Sequence, residues 1–167
     1  MFFFGFTNNI SITKQKKNKI DMVNLTDFET YFISIKQQIG VKKIFFLTNE
    51  ADISSSLNDI KPEEQPFMLV IIPSSKTSGS SQDDVSEINY CLLYILSKEE
   101  RGQIDTFIIQ KNLQPILESC KRKMIQDKDS CGLLRNLDVS SFHSDPESKL
   151  FSRATGWSLS FEFTTDL

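Results

Sequence analysis

The spacing of apolar residues sets the order of elements. Leu25, Phe28, Phe32, Ile35 and Ile39 recur at steps of three and four, which marks one face of a helix. Thr26 and Glu29 have the spacing of a capping box at its start, and Gly40 is placed to end it in a left-handed cap. The run Lys42–Thr48, KKIFFLT, predicts a short strand, and PFMLVIIP at 66–73 predicts a buried strand bounded by prolines. The polar stretch 49–65 between them predicts a loop with a turn of helix near Ser54–Leu57. A long strand follows from Val85 to Ser97. Ile88, Tyr90, Leu92, Tyr94 and Leu96 share one face and Cys91, Leu93 and Ile95 the other, so its second half is expected to be covered on both sides. The polar, Gly/Ser-rich segment 74–84 predicts a flexible eleven-residue loop that joins the two strands as a hairpin.

From Glu99 to Lys128 the pattern is helical, carried by Ile104, Phe107, Ile108, Leu113, Ile116, Leu117, Cys120 and Met124. Pro115 predicts either a kink or the start of a second helix. Leu137 and Val139 alternate in a further strand within 131–142, and His143–Lys149 reads as a turn. The chain closes on its clearest alternation. Trp157, Leu159, Phe161 and Phe163 fall on one face and Ser158, Ser160, Glu162 and Thr164 on the other, with Gly156 as the turn into the strand. A slip of one residue would put all four large apolar groups in water, so the register is firmly set. The order is α-β-β-β-α-β-β. Runs of strands between single helices indicate an α+β fold, a mainly antiparallel sheet packed with two helices.

A length of 167 residues fits one domain, assigned to 22–167, with 1–21 as an N-terminal arm or a mis-assigned start. Met22 stands directly before the first helix signal, so a chain beginning there is expected to fold normally. The opening MFFFGF has too short an apolar run for a leader peptide. The cationic run from Lys14 to Lys19 follows it instead of preceding it. No stretch approaches a membrane span.

Charge and composition narrow the function classes. A formal net charge of -3 argues against a protein whose main task is to coat nucleic acid. Fourteen Phe against one Trp and three Tyr predict a Phe-rich core. Three cysteines and one histidine, without paired spacing, describe neither a disulfide framework nor a zinc site. Reduced core cysteines are expected, with no metal and no cofactor.

Each catalytic pattern has a plain surface reading beside it. Ser75-Lys76-Thr77 lacks the preceding glycines and the following helix of a phosphate loop. A serine or cysteine nucleophile would need His143 as its base, and His143 reads as a surface turn residue. Glu147-Ser148-Lys149 has the Glu-x-Lys form of some Mg²⁺-dependent nucleases, without a metal-binding Asp on a neighbouring strand. The acidic pairs Glu63-Glu64, Asp83-Asp84 and Glu99-Glu100 fit solvated loops or a helix start. No enzyme is expected.

The element order, the hairpin with its polar tip and the closing strand Gly156–Phe163 resemble the tail-terminator (tail-completion) and neck-ring proteins of tailed bacteriophages, over roughly Asn24 to Phe163. The resemblance implies a structural virion protein at the head–tail junction, assembled in the host cytoplasm as a ring, often hexameric. Its partners would be further copies of the chain and other virion proteins, with DNA passing transiently through the ring and no membrane. The candidate assembly contacts are Ser78, Gly79, Ser80, Gln82, Asp83 and Asp84 in the hairpin, and Thr164, Thr165, Asp166 and Leu167 at the end of the chain. The alternatives are a monomeric adaptor or immunity-type binding domain and, below it, a metal-dependent nuclease.

Overall fold

The computed structural model describes residues 23–49, 57–58, 60–81, 84–99, 105–130, 132–150 and 153–166. The elements are α1 (Leu25–Ile39), β1 (Lys43–Leu47), β2 (Phe67–Ser81), β3 (Asp84–Lys98), α2 (Thr106–Lys128), β4 (Leu137–Leu150) and β5 (Ala154–Asp166), with a short 3-10 turn at Pro62–Glu64. This is the expected α+β order. The five strands lie in the sequence β1-β2-β3-β5-β4. Only the β1–β2 pair is parallel, and the other three are antiparallel.

α1 begins slightly earlier than the capping-box spacing suggests. Asn24 Oδ1 accepts from the amides of Thr26 (2.9 Å) and Asp27 (3.4 Å), so Asn24 is the cap and Thr26 lies inside the first turn. Leu25 consequently points outward and is half exposed, while Phe28, Phe32, Ile35 and Ile39 are buried. Gly40 ends the helix at φ 80°, the left-handed conformation that favours glycine. α2 runs unbroken through Pro115, so neither a second helix nor a new start occurs there. Its buried stripe is Ile109, Leu113, Leu117, Cys120 and Met124, and packing of that stripe on the sheet outweighs the one backbone bond that proline removes. Phe107 and Ile108, expected on the apolar face, are exposed.

Two segments expected to be irregular are strands. The expected 74–84 loop is strand up to Ser81 and again from Asp84, with Ser74↔Tyr90, Lys76↔Ile88 and Gly79↔Val85 as ladder partners. Polar composition does not forbid a strand whose side chains face water, because β3 supplies a paired template and backbone bonding does the rest. The expected turn at 143–149 is likewise part of β4. β4 is the outermost strand, the place in a sheet where proline is tolerated, and register shifts near 138–143 and 147–150 absorb the irregularity.

Both sheet faces are covered over much of their length. The helix side carries Phe28, Phe32, Met68, Val70, Cys91, Leu93, Ile95, Leu117, Leu159, Phe161 and Phe163. The opposite side carries Leu47, Leu57, Ile60, Phe67, Leu69, Tyr94, Leu96 and Ala154. β3 therefore contributes to two cores, as its double apolar pattern predicts. The Phe-rich core is present: Phe32 lies 6.5 Å from Phe161, which stacks on Phe163. Polar ties fix the helices. Tyr31 donates to Asp127 Oδ2 (3.1 Å) between α1 and α2, and Trp157 Nε1 donates to the Gln110 carbonyl (2.9 Å). No helix among the described residues is long and apolar enough to cross a membrane.

Cys91 and Cys120 are buried free thiols, and Cys131 lies outside the described residues. Burial pushes both thiols up, Cys120 to about 12. A thiol whose folded value is raised holds its proton longer in the native state. Its stabilising effect is full below the ordinary thiol range and is lost as pH rises towards the folded value. The melting temperature is therefore expected to fall between about pH 9 and pH 12. Cys120→Ala should flatten part of that fall in alkaline melts. A thiol reagent at neutral pH should modify neither residue until the protein unfolds.

Candidate functional site

The hairpin and the chain end, distant in sequence, meet at one end of the sheet. Ser86 of β3 pairs with Ser78 on one side and Asp166 on the other. Ser78, Gly79 and Ser80 are exposed on β2. Gly79 has φ 156° beside a register shift, a bulge position suited to glycine. Asp84 pairs with Ser81. Thr164, Thr165 and Asp166 are not a free tail but ladder residues opposite Ile88, Glu87 and Ser86. Gln82, Asp83 and Leu167 lie outside the described residues. Seven of the ten candidate contacts thus belong to a three-stranded polar end built from β2, β3 and β5.

The edges of this end differ. β1 pairs with β2 only from Phe67 to Ile71. Past that point, among the described residues, no strand lies beyond β2, and Ser74–Gly79 are paired on one side only. Pro73 falls just past the last β1 pair, so its missing N–H costs no bond between those two strands. On the far side of the sheet β4 forms the other edge.

A polar cluster on the helix side has no counterpart among the sequence-based expectations. Asn89 is fully buried; its Oδ1 accepts from Ser75 Oγ (2.6 Å), and its Nδ2 donates to the Phe163 carbonyl (3.3 Å) and Thr165 Oγ1 (3.2 Å). These bonds tie β2, β3 and β5 together where the apolar core stops. Glu87 lies two residues away on the same face and is buried as well. The one signal in the sequence is that positions 87 and 89 continue the apolar face of Cys91, Leu93 and Ile95 with polar side chains.

The catalytic patterns do not gather into a sheltered site. His143 Nε2 lies 2.9 Å from Asp145 Oδ2, and Ser160 stands opposite His143 in the ladder. The pair is 72% and 56% exposed, whereas nucleophilic catalysis needs a base held fast and oxyanion donors in a water-poor setting. The carbonyl of Glu147 accepts from Gln110 Nε2, and the Lys149 amide donates to Thr155 Oγ1. Thr155 in turn donates to Glu99 Oε1 (2.6 Å), which anchors the end of β3 to β5 instead of starting a helix. Among the described residues no three His, Cys, Asp or Glu side chains are grouped as metal ligands. Comparison with known proteins adds no assignment, since no family model matches the chain and no curated protein matches it.

Proposed function

We propose that the protein is a structural virion protein that assembles as a ring, as a tail terminator or head–tail (neck) connector of a tailed phage, and that it is not an enzyme. The observation that supports this reading is the open edge of β2 from Ser74 to Gly79, on the opposite side of the sheet from the β4 edge. Two unlike edges suit a heterologous contact, in which each copy offers one edge and accepts the other. Such contacts close into a ring when the rotation between copies allows. The Ser74–Gly79 stretch of β2 carries a single charge, Lys76, so little on it opposes pairing with another chain. The partners are further copies of the chain and other virion proteins at the head–tail junction. A modest net charge of -3 is compatible with DNA passing through without sticking.

The same edge could serve a monomeric adaptor that adds one strand of a partner peptide to the sheet. Negative-stain microscopy separates the two. Wild-type protein should give closed ring-shaped particles, alone or on tail-tube ends. A Ser74→Lys/Ser78→Lys chain should lose them while melting within a few degrees of wild type. The ring reading fails if the double variant assembles normally, or if chain labelled at its C-terminus is uniformly absent from virions.

A further inference from the structure

Past Ile71, β2 is paired on the β3 side only, and its register there shifts between Ile71 and Ser74. None of residues 74–79 belongs to either apolar core. Apart from Lys76 they are Ser, Thr or Gly. A strand held on one side, without apolar anchors, opens and recloses locally at little cost. A partner that needs the formed edge then binds more weakly, in proportion to the fraction of chain in which the edge is formed.

One side-chain bond opposes that opening. Among the described residues, Ser75 is the only member of Ser74–Gly79 with a hydrogen-bonded side chain, and its Oγ donates to Asn89 Oδ1 (2.6 Å). The amide nitrogen of Asn89 faces the other way, towards the carbonyls of Phe163 (3.3 Å) and Glu87 (3.4 Å) and Oγ1 of Thr165 (3.2 Å). Chemistry fixes this orientation, because a flipped amide would set Oδ1 against two carbonyl oxygens that have no proton to give. Phe163 is fully buried and paired with Asn89 on one side and Leu137 on the other. Asn89 is fully buried too, so water does not compete for its bonds. It fastens the edge strand to a fixed point of the helix-side core. The bond to Ser75 consumes no backbone N–H or C=O of β2.

We infer that Asn89 is the positioning residue of the β2 edge: through Ser75 it holds Ser74–Gly79 as a formed strand in the free chain, so that a second copy pairs with it without first ordering it. This rests on the reading of that edge as the contact between copies.

Hydrogen exchange and sedimentation velocity on the full-length chain test this, with Ser75→Ala and Ser75→Thr beside wild type. Ser75→Ala leaves Asn89 Oδ1 without a donor. It should speed exchange of the 74–79 amides about tenfold and leave those of 67–71 unchanged. The melting temperature should stay within about 3 °C of wild type, while the ring fraction falls. Ser75→Thr keeps the hydroxyl and should restore both exchange and ring fraction. Unchanged exchange at 74–79 in Ser75→Ala overturns the inference. So does faster exchange with a normal ring fraction, and so does faster exchange that extends equally to 67–71, which would make the bond a general prop of the sheet. If the wild-type chain forms no ring, the reading of the edge as a contact fails, and the exchange result alone still decides whether Asn89 holds it.

Discussion

A chain ending after Thr155 is expected to lose cooperative folding. β5 is not a terminal appendage but the strand between β3 and β4, paired along both sides. Deleting it removes Leu159, Phe161 and Phe163, which are 0%, 2% and 0% exposed. Burial of three such side chains is worth about 5–9 kcal/mol. The whole net stability of a domain is about 5–15 kcal/mol. The deletion also strips hydrogen-bonding partners from β3 and β4 and the Trp157 tie to α2. The loss therefore exceeds what the remaining core can offset. Near-ultraviolet circular dichroism should show no fixed aromatic environment, and thermal scans should show no sigmoidal transition. A soluble truncated chain with a cooperative melt would mean that β5 is dispensable.

The alternation behind this expectation is legible in the sequence alone, because period-two burial of Trp157, Leu159, Phe161 and Phe163 leaves a strong pattern. The two-sided burial of β3 is legible for the same reason. The segments that mislead are those where the pattern is silent. Residues 74–81 and 143–149 are polar on both faces, so nothing in their composition separates an exposed strand from a loop. Each takes its conformation from the strand it pairs with, whose contribution no local composition records. Pro115 misleads in the opposite sense: a local rule predicts interruption, and tertiary packing of Leu113 and Leu117 overrides it.

The candidate site shows the same division. In the sequence the hairpin and chain-end residues are separate loose ends, and only the register Ser78↔Ser86↔Asp166 reveals that they form one surface. The Glu87–Asn89 cluster is hidden from sequence reasoning, because a polar residue in a strand is read as facing water until a neighbour is shown to bury it. The hydrogen bonds of Asn89 reach 14, 74 and 76 residues along the chain, separations that no local spacing rule spans.

Gly156→Ala is expected to be far more damaging than the same change at Gly40 or Gly132. Gly156 is the third residue of β5, not a turn into it as the sequence suggests. Its requirement comes from close approach. A Cβ there would lie 2.1 Å from the Ile95 carbonyl oxygen and 3.0 Å from both Leu96 Cα and Leu113 Cδ1. Leu113 can rotate a little, but two of these neighbours are backbone in the central strand, so the β3–β5 ladder must shift to make room. Overpacking of this kind costs about 3 kcal/mol, which lowers the melting temperature by about 6–12 °C for a domain of this size. The other glycines give an internal scale. Gly40→Ala meets no atom within 4 Å but must hold φ 80°, a cost of about 1 kcal/mol. Gly132→Ala meets only Ser130 Oγ at 3.5 Å, ordinary contact, and should stay within about 0.5 kcal/mol of wild type. Urea midpoints should therefore fall in the order Gly132→Ala, Gly40→Ala, Gly156→Ala. If Gly156→Ala melts like Gly132→Ala, the strands are not held as close as the ladder places them, and the packing of α2 across that junction would have to be looser too.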